Sequence, residues 1–210
     1  MAIIKLNNRG VKDATAFGSI SSLGSLTLIK KQTASSSSTI SFVDGSSGVV
    51  LDNTYKEYIF YFVNIHPATD STQFLFQGNA SGESGFNETI TSTSFEAEHY
   101  ENDFATGLTY LANGDQAQGT AFQRLSDSIS NDNDHGLGGY LHLFNPSSTT
   151  YVKHFITSTQ ATLPSASQGD FSMQYNVAGY FNTTSAIDEI QFKMSSGNID
   201  SGDILLFGLN

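Results

Sequence analysis

Apolar residues return at every second position along much of this chain. Runs of Gly, Ser, Asn and Asp interrupt them, which is the pattern of strands joined by turns. Leu26–Gln32 is the first predicted strand, followed by Thr39–Val43 with Ile40 and Phe42 on one side. The strongest segment is Tyr55–Ile65, where Tyr58, Phe60 and Phe62 alternate with Ile59, Tyr61 and Val63. Apolar character on both faces predicts burial on both, as in a central strand or a strand at a subunit contact. Tyr58, Phe60 and Phe62 are the expected inter-subunit residues. His66–Ser71 ends this strand and Thr72–Gln77 returns, which predicts a hairpin.

Beyond a Gly/Ser/Asn loop over Gly78–Gly85, Thr89–Tyr100 reads as a strand with Phe95 and Ala97 on the apolar side. Thr109–Leu111 and Gln118–Leu125 are short candidates, and Ser126–Gly139 is a long polar loop. Tyr140–Phe144 and Tyr151–Thr157 form a second predicted hairpin, and Phe171–Phe181, Ile187–Met194 and Asp203–Leu209 complete the set. No window carries a helical period beyond a single turn at Ser185–Glu189 or within Gln116–Asp127. About eight to ten strands at this spacing predict an all-β chain, an antiparallel β-sandwich of jelly-roll type. Residues 25–210 form its single domain.

The first 24 residues break the pattern, being small, polar and punctuated by Gly. They read as an extended N-terminal attachment arm rather than a core element. Charge sharpens the contrast. Residues 1–31 hold five basic residues and one acid, a net of +4. Residues 32–210 hold four basic and 19 acidic residues, a net of −15. An acidic body disfavours nucleic acid, whose phosphates call for clustered Lys and Arg. The basic start suits an acidic partner surface, with Lys5, Arg9 and Lys12 as the expected partner-binding residues. Sixteen Phe and nine Tyr supply bulk for a core in a chain without Trp or Cys. With no disulfide available, stability is expected from burial and self-association. The opening MAIIKLNNRG lacks the apolar stretch of a secretory signal, and no run reaches membrane-spanning length, so folding in a cytoplasm is expected.

Candidate chemistry is sparse. The five histidines form no HxH or HExxH pattern, although His142 and His154 would lie on the two strands of the second hairpin and could face each other. Asp127, Asn131, Asp132, Asn133, Asp134 and Asn145 offer oxygens for a calcium ion, with Asp132 and Asp134 at the centre of the loop. Counted from Asp132, however, the twelfth position is Leu143 rather than the Glu of an EF-hand. Glu96 and Glu98 share one strand face, roughly 7 Å apart at Cα, a spacing open to glycoside hydrolysis but also that of a wet outer face. Tyr100, Phe104, Tyr110 and Phe122 are expected in the core or at a subunit contact rather than stacking on sugars. No nucleophile elbow, SxxK or phosphate-binding loop occurs. No cofactor, metal ligand or catalytic residue is assigned, and the expectation is a protein that is not an enzyme.

Three segments resemble a β-sandwich pattern of virion proteins from tailed phages, especially marine ones. They are TYKEYIFYFVNIHPATDSTQFLFQ at 54–77, GYLHLFNPSSTTYVKHF at 139–155, and GYFNTTSAIDEIQFKMSSGNIDSGDILLFGL at 179–209. The leader MAIIKLNNRGVKDATAFGS is similar to attachment leaders of phage fibre and decoration proteins. The resemblance implies a non-enzymatic structural protein of the virion, a capsid decoration, knob or head-fibre subunit anchored by its arm. Its partners would be the major capsid protein or a tail adaptor, together with copies of itself in a homo-oligomer such as a trimer. The alternative it implies is a tail-fibre protein that recognises host surface glycan through the loops at 101–139.

Overall fold

A computed structural model describes residues 26–209. The expected arm, with Lys5, Arg9 and Lys12, lies outside the described residues. The described residues form thirteen strands: β1 (Leu26–Thr33), β2 (Ile40–Val43), β3 (Glu57–Pro67), β4 (Phe74–Ala80), β5 (Ile90–Tyr100), β6 (Thr106–Tyr110), β7 (Ala117–Gly119), β8 (Gln123–Arg124), β9 (Leu137–Phe144), β10 (Lys153–Leu163), β11 (Phe171–Phe181), β12 (Ile187–Met194) and β13 (Ile199–Leu209). The described residues hold no helix. The strand number exceeds the expected eight to ten because the middle of the chain contributes three short strands, β6, β7 and β8.

Two antiparallel sheets result. The larger has nine strands in the order β1-β13-β3-β9-β10-β11-β5-β6, with β7 also paired to β5. The smaller runs β2-β12-β4-β8. The second predicted hairpin forms, Ile156 pairing with His142 between β10 and β9. The first does not. β3 is flanked by β13 and β9 in the large sheet, while β4 pairs with β12 and β8 in the small one. Residues 68–73 therefore carry the chain from one sheet to the other. Both edges of β3 are taken by long partners, and Phe74 and Phe76 of β4 meet β3 and β10 across the gap instead.

That gap is filled with phenylalanine. Phe62 of β3 meets Phe74 at 5.1 Å and Phe192 at 5.3 Å between ring centroids, Phe60 meets Phe42 at 5.2 Å, and Phe155 meets Phe76 at 5.1 Å. All four pairs are edge-on, an arrangement that adds to the burial of the rings. Tyr58, Phe60 and Phe62 belong to this core, at 0%, 0% and 3% exposure. They are thus not inter-subunit residues. The alternate set on the same strand is the one that faces outward, with Tyr61 at 37% and Val63 at 44% exposure.

Two buried glutamines fasten the irregular middle of the chain to the sheets. Gln77 donates from Nε2 to the carbonyls of Glu88 and Ala121, each at 3.0 Å. Gln123 donates to the Gly114 carbonyl at 2.8 Å and accepts from Ser92 Oγ at 2.7 Å. Each amide satisfies backbone groups that would otherwise be orphaned inside the fold.

Candidate functional site

The outer face of the large sheet is apolar where a soluble surface is usually polar. In register across β13, β3, β9 and β10 lie Phe207, Ile59, His142 and Ile156, and one step along lie Leu205, Tyr61, Tyr140 and Ser158. Leu28 of β1 continues the first row, paired with Phe207. Tyr61 packs edge-on against Phe207 at 5.6 Å and Tyr140 at 6.4 Å. Ile156 remains 46% and Leu28 52% exposed. Contiguous exposed apolar rows of this kind mark contact surfaces. Further across, Phe95 pairs with Tyr110 and Ala97 with Leu108 on β5 and β6, a second exposed apolar set beyond the polar row of Ser158 and Asn176.

Charge on the first patch is sparse. The described residues carry 19 acids, yet only Glu57 and Asp203 project from the outward rows of β1, β13, β3, β9 and β10 between those positions. Lys31 sits 2.7 Å from Asp203, whose other oxygen accepts from Thr33 Oγ1 at 2.5 Å. Hydrogen bonding by Lys31, then by Thr33, holds the Asp203 carboxyl below its ordinary value. His142 Nε2 lies 2.8 Å from Glu57, angled out of hydrogen-bond alignment, with its ring against Phe144 at 4.1 Å. His142 therefore faces Ile156 and Glu57. His154 is not its cross-strand partner and lies beside Tyr180 instead.

The carboxylate pair on β5 points the opposite way from the expected wet face. Glu96 stands directly across from Tyr175, which is 1% exposed, so both face the interior, and Phe95 faces solvent at 45% exposure. The inversion follows from what covers this end of the sheet. The segment 111–127 lies over it and brings polar groups, Gln116, Gln123, Arg124 and Asp127, which suit Ser92, Ser94 and Glu96. Burial, then the charges of Asp127 and Glu98, raises the Glu96 carboxyl above its ordinary 4.5, and its Oε2 has no hydrogen-bond partner. Because the folded state holds this proton more tightly than the unfolded chain, stability is lost as pH rises through the window above 4.5. Glu96→Gln is therefore expected to raise the melting temperature at neutral pH, with the gain shrinking as pH falls toward 4.5, a comparison made by thermal melts at several pH values.

The loop at 126–139 gathers histidine and aspartate. His135, with its side chain 4% exposed, lies 3.2 Å from Asp170 through Nε2 and 3.8 Å from Asp132 through Nδ1. His66 Nε2 is 3.2 Å from the Asp132 carbonyl. A polar cleft of about 500 Å³ opens here, lined by Asn64, His66, Asp134, His135, Gln160 and Thr162. Among the described residues, no three His, Cys, Asp or Glu side chains converge to hold a metal ion. In the middle of the chain, Phe104 and Tyr110 are exposed at 61% and 56%, outside the core, while Tyr100 stacks on Phe171 at 4.7 Å. No helix among the described residues is long and apolar enough to cross a membrane. Comparison with protein-family models, curated proteins and solved structures gave no match.

Proposed function

We propose that this chain is a non-enzymatic structural subunit of a tailed-phage particle, assembling with copies of itself through the outer face of the large sheet. One observation carries the reading: that face is apolar and bears few carboxylates, Asp203 held by Lys31 and Glu57 beside His142, in an otherwise acidic chain. Two copies of such a chain repel each other at most surfaces. The patch of Tyr61, Val63, Ile156 and Leu28 is where an acidic molecule can meet its own copy without burying a lone charge. The virion setting rests on the sequence resemblance and on the basic N-terminal segment, which suits docking on an acidic shell. A capsid decoration, knob or head-fibre subunit fits that combination, with the major capsid protein as partner and a trimer as the natural oligomer. The jelly-roll form draws support from the repeated crossings between sheets, against which stand the unequal sheets of nine and four strands.

Gold-labelled antibody to the purified chain tests the location. Label on the surface of intact particles is the expected result, and label confined to debris of lysed host cells would contradict it. A chain beginning at residue 25 is expected to fold and yet fail to rejoin particles stripped of this protein. Full rebinding by that shortened chain would remove the attachment role of residues 1–24.

A further inference from the structure

The outer face of the small sheet carries two cations in one row. Lys193 on β12 and Arg124 on β8 both pair with Leu75 on the strand between them, β4, so all three side chains project to the same side. With one strand between them, their Cα atoms are roughly 10 Å apart. Like charges placed this way repel, and the described residues hold only six basic side chains against 19 acidic ones. Arg124 is partly satisfied, donating from Nη1 to the Asn113 carbonyl at 3.1 Å and standing 3.5 Å from Asp127. Lys193 has no carboxylate within ion-pair distance among the described residues. Its ammonium rests 4.1 Å above the centroid of the Phe122 ring.

Between the two cations and the segment 113–122 is an open cleft of about 510 Å³, whose walls include Gln73, Asn113, Asp115, Gln116 and Phe122. We propose that this cleft binds a saccharide bearing a single carboxylate. The anion would lie over Leu75 between Lys193 and Arg124, and the amides of Gln73 and Asn113 would meet ring hydroxyls. Asp127 offsets Arg124 and Asp115 stands in the cleft wall, so a polyanion such as nucleic acid gains little here, whereas one carboxylate flanked by hydroxyls finds the Lys193 ammonium, the Arg124 guanidinium and acceptors. The volume lies within the range of small-ligand sites. The reading is independent of self-assembly, because the large sheet's outer face and this one lie on opposite sides of the core.

Saturation-transfer NMR on the full chain with galacturonate, galactose and acetate tests it. Galacturonate is expected to bind with a dissociation constant in the roughly millimolar range, and galactose about tenfold more weakly or worse. Lys193→Gln should abolish that preference, and Lys193→Arg should retain it, with circular dichroism confirming that both variants fold. Absence of saturable galacturonate binding, an equal response to galactose, or unchanged binding by Lys193→Gln would overturn the proposal. Acetate competing as well as galacturonate would overturn its saccharide part.

Discussion

Replacing Phe192 with alanine is expected to destabilise the fold by about 3–5 kcal/mol, the range for deleting a fully buried aromatic side chain. Phe192 is 0% exposed and its ring meets five others, Phe42, Phe60, Phe62, Phe74 and Phe76, at centroid distances from 5.3 to 6.4 Å. These five come from β2, β3 and β4, so one side chain joins three strands of the two sheets. Its removal leaves a cavity walled by rings on several sides, which rigid aromatics cannot collapse to fill. Urea denaturation measures the effect. A loss below about 1 kcal/mol would mean that this ring cluster is not what holds the sheets together.

Gly139→Ala is expected to cost about 3 kcal/mol or more, through two separate causes. Its φ of 150° lies in a region that L side chains rarely adopt, and a Cβ there would fall 2.3 Å from the Ser158 carbonyl oxygen and 2.6 Å from Thr159 Cα. Both contacts are backbone of β10, the next strand in the sheet, so no side-chain rotation relieves them. The neighbouring glycine is the internal control. A Cβ at Gly138 would meet only the Phe62 carbonyl oxygen, at 3.8 Å, and Gly138→Ala should change stability by about 0.5 kcal/mol or less. Equal melting temperatures for the two variants would contradict the tight β9–β10 approach.

Particular strands show what the pattern of residues could convey. Phe171–Phe181 and Ile187–Met194 were legible to the residue, because their inner positions are large and apolar and their outer ones mostly polar. Tyr55–Ile65 was legible as a strand but not in its facing. Both of its alternating sets are apolar, so a period of two cannot distinguish the core set of Tyr58, Phe60 and Phe62 from the surface set of Ile59, Tyr61 and Val63. β5 misled for the reverse reason: its inner face is Ser92, Ser94 and Glu96, and Ser92 is matched by Gln116 and Gln123, 24 and 31 residues away, which local alternation does not register. The crossing from β3 to β4 was equally hidden, since a six-residue turn between two apolar segments looks the same whether the second strand pairs with the first or leaves for the other sheet. The row of Lys193, Leu75 and Arg124 unites residues far apart in the chain and becomes visible only through strand pairing.

Sedimentation of the full chain beside a Tyr61→Lys, Ile156→Lys double variant bears most directly on the outward face as a surface between copies. Both side chains are over a third exposed, so the variant should fold with an unchanged circular dichroism spectrum. The expected result is a concentration-dependent oligomer for the parent chain and a monomer for the variant. A parent that stays monomeric at high concentration, or a variant that assembles just as well, would contradict it.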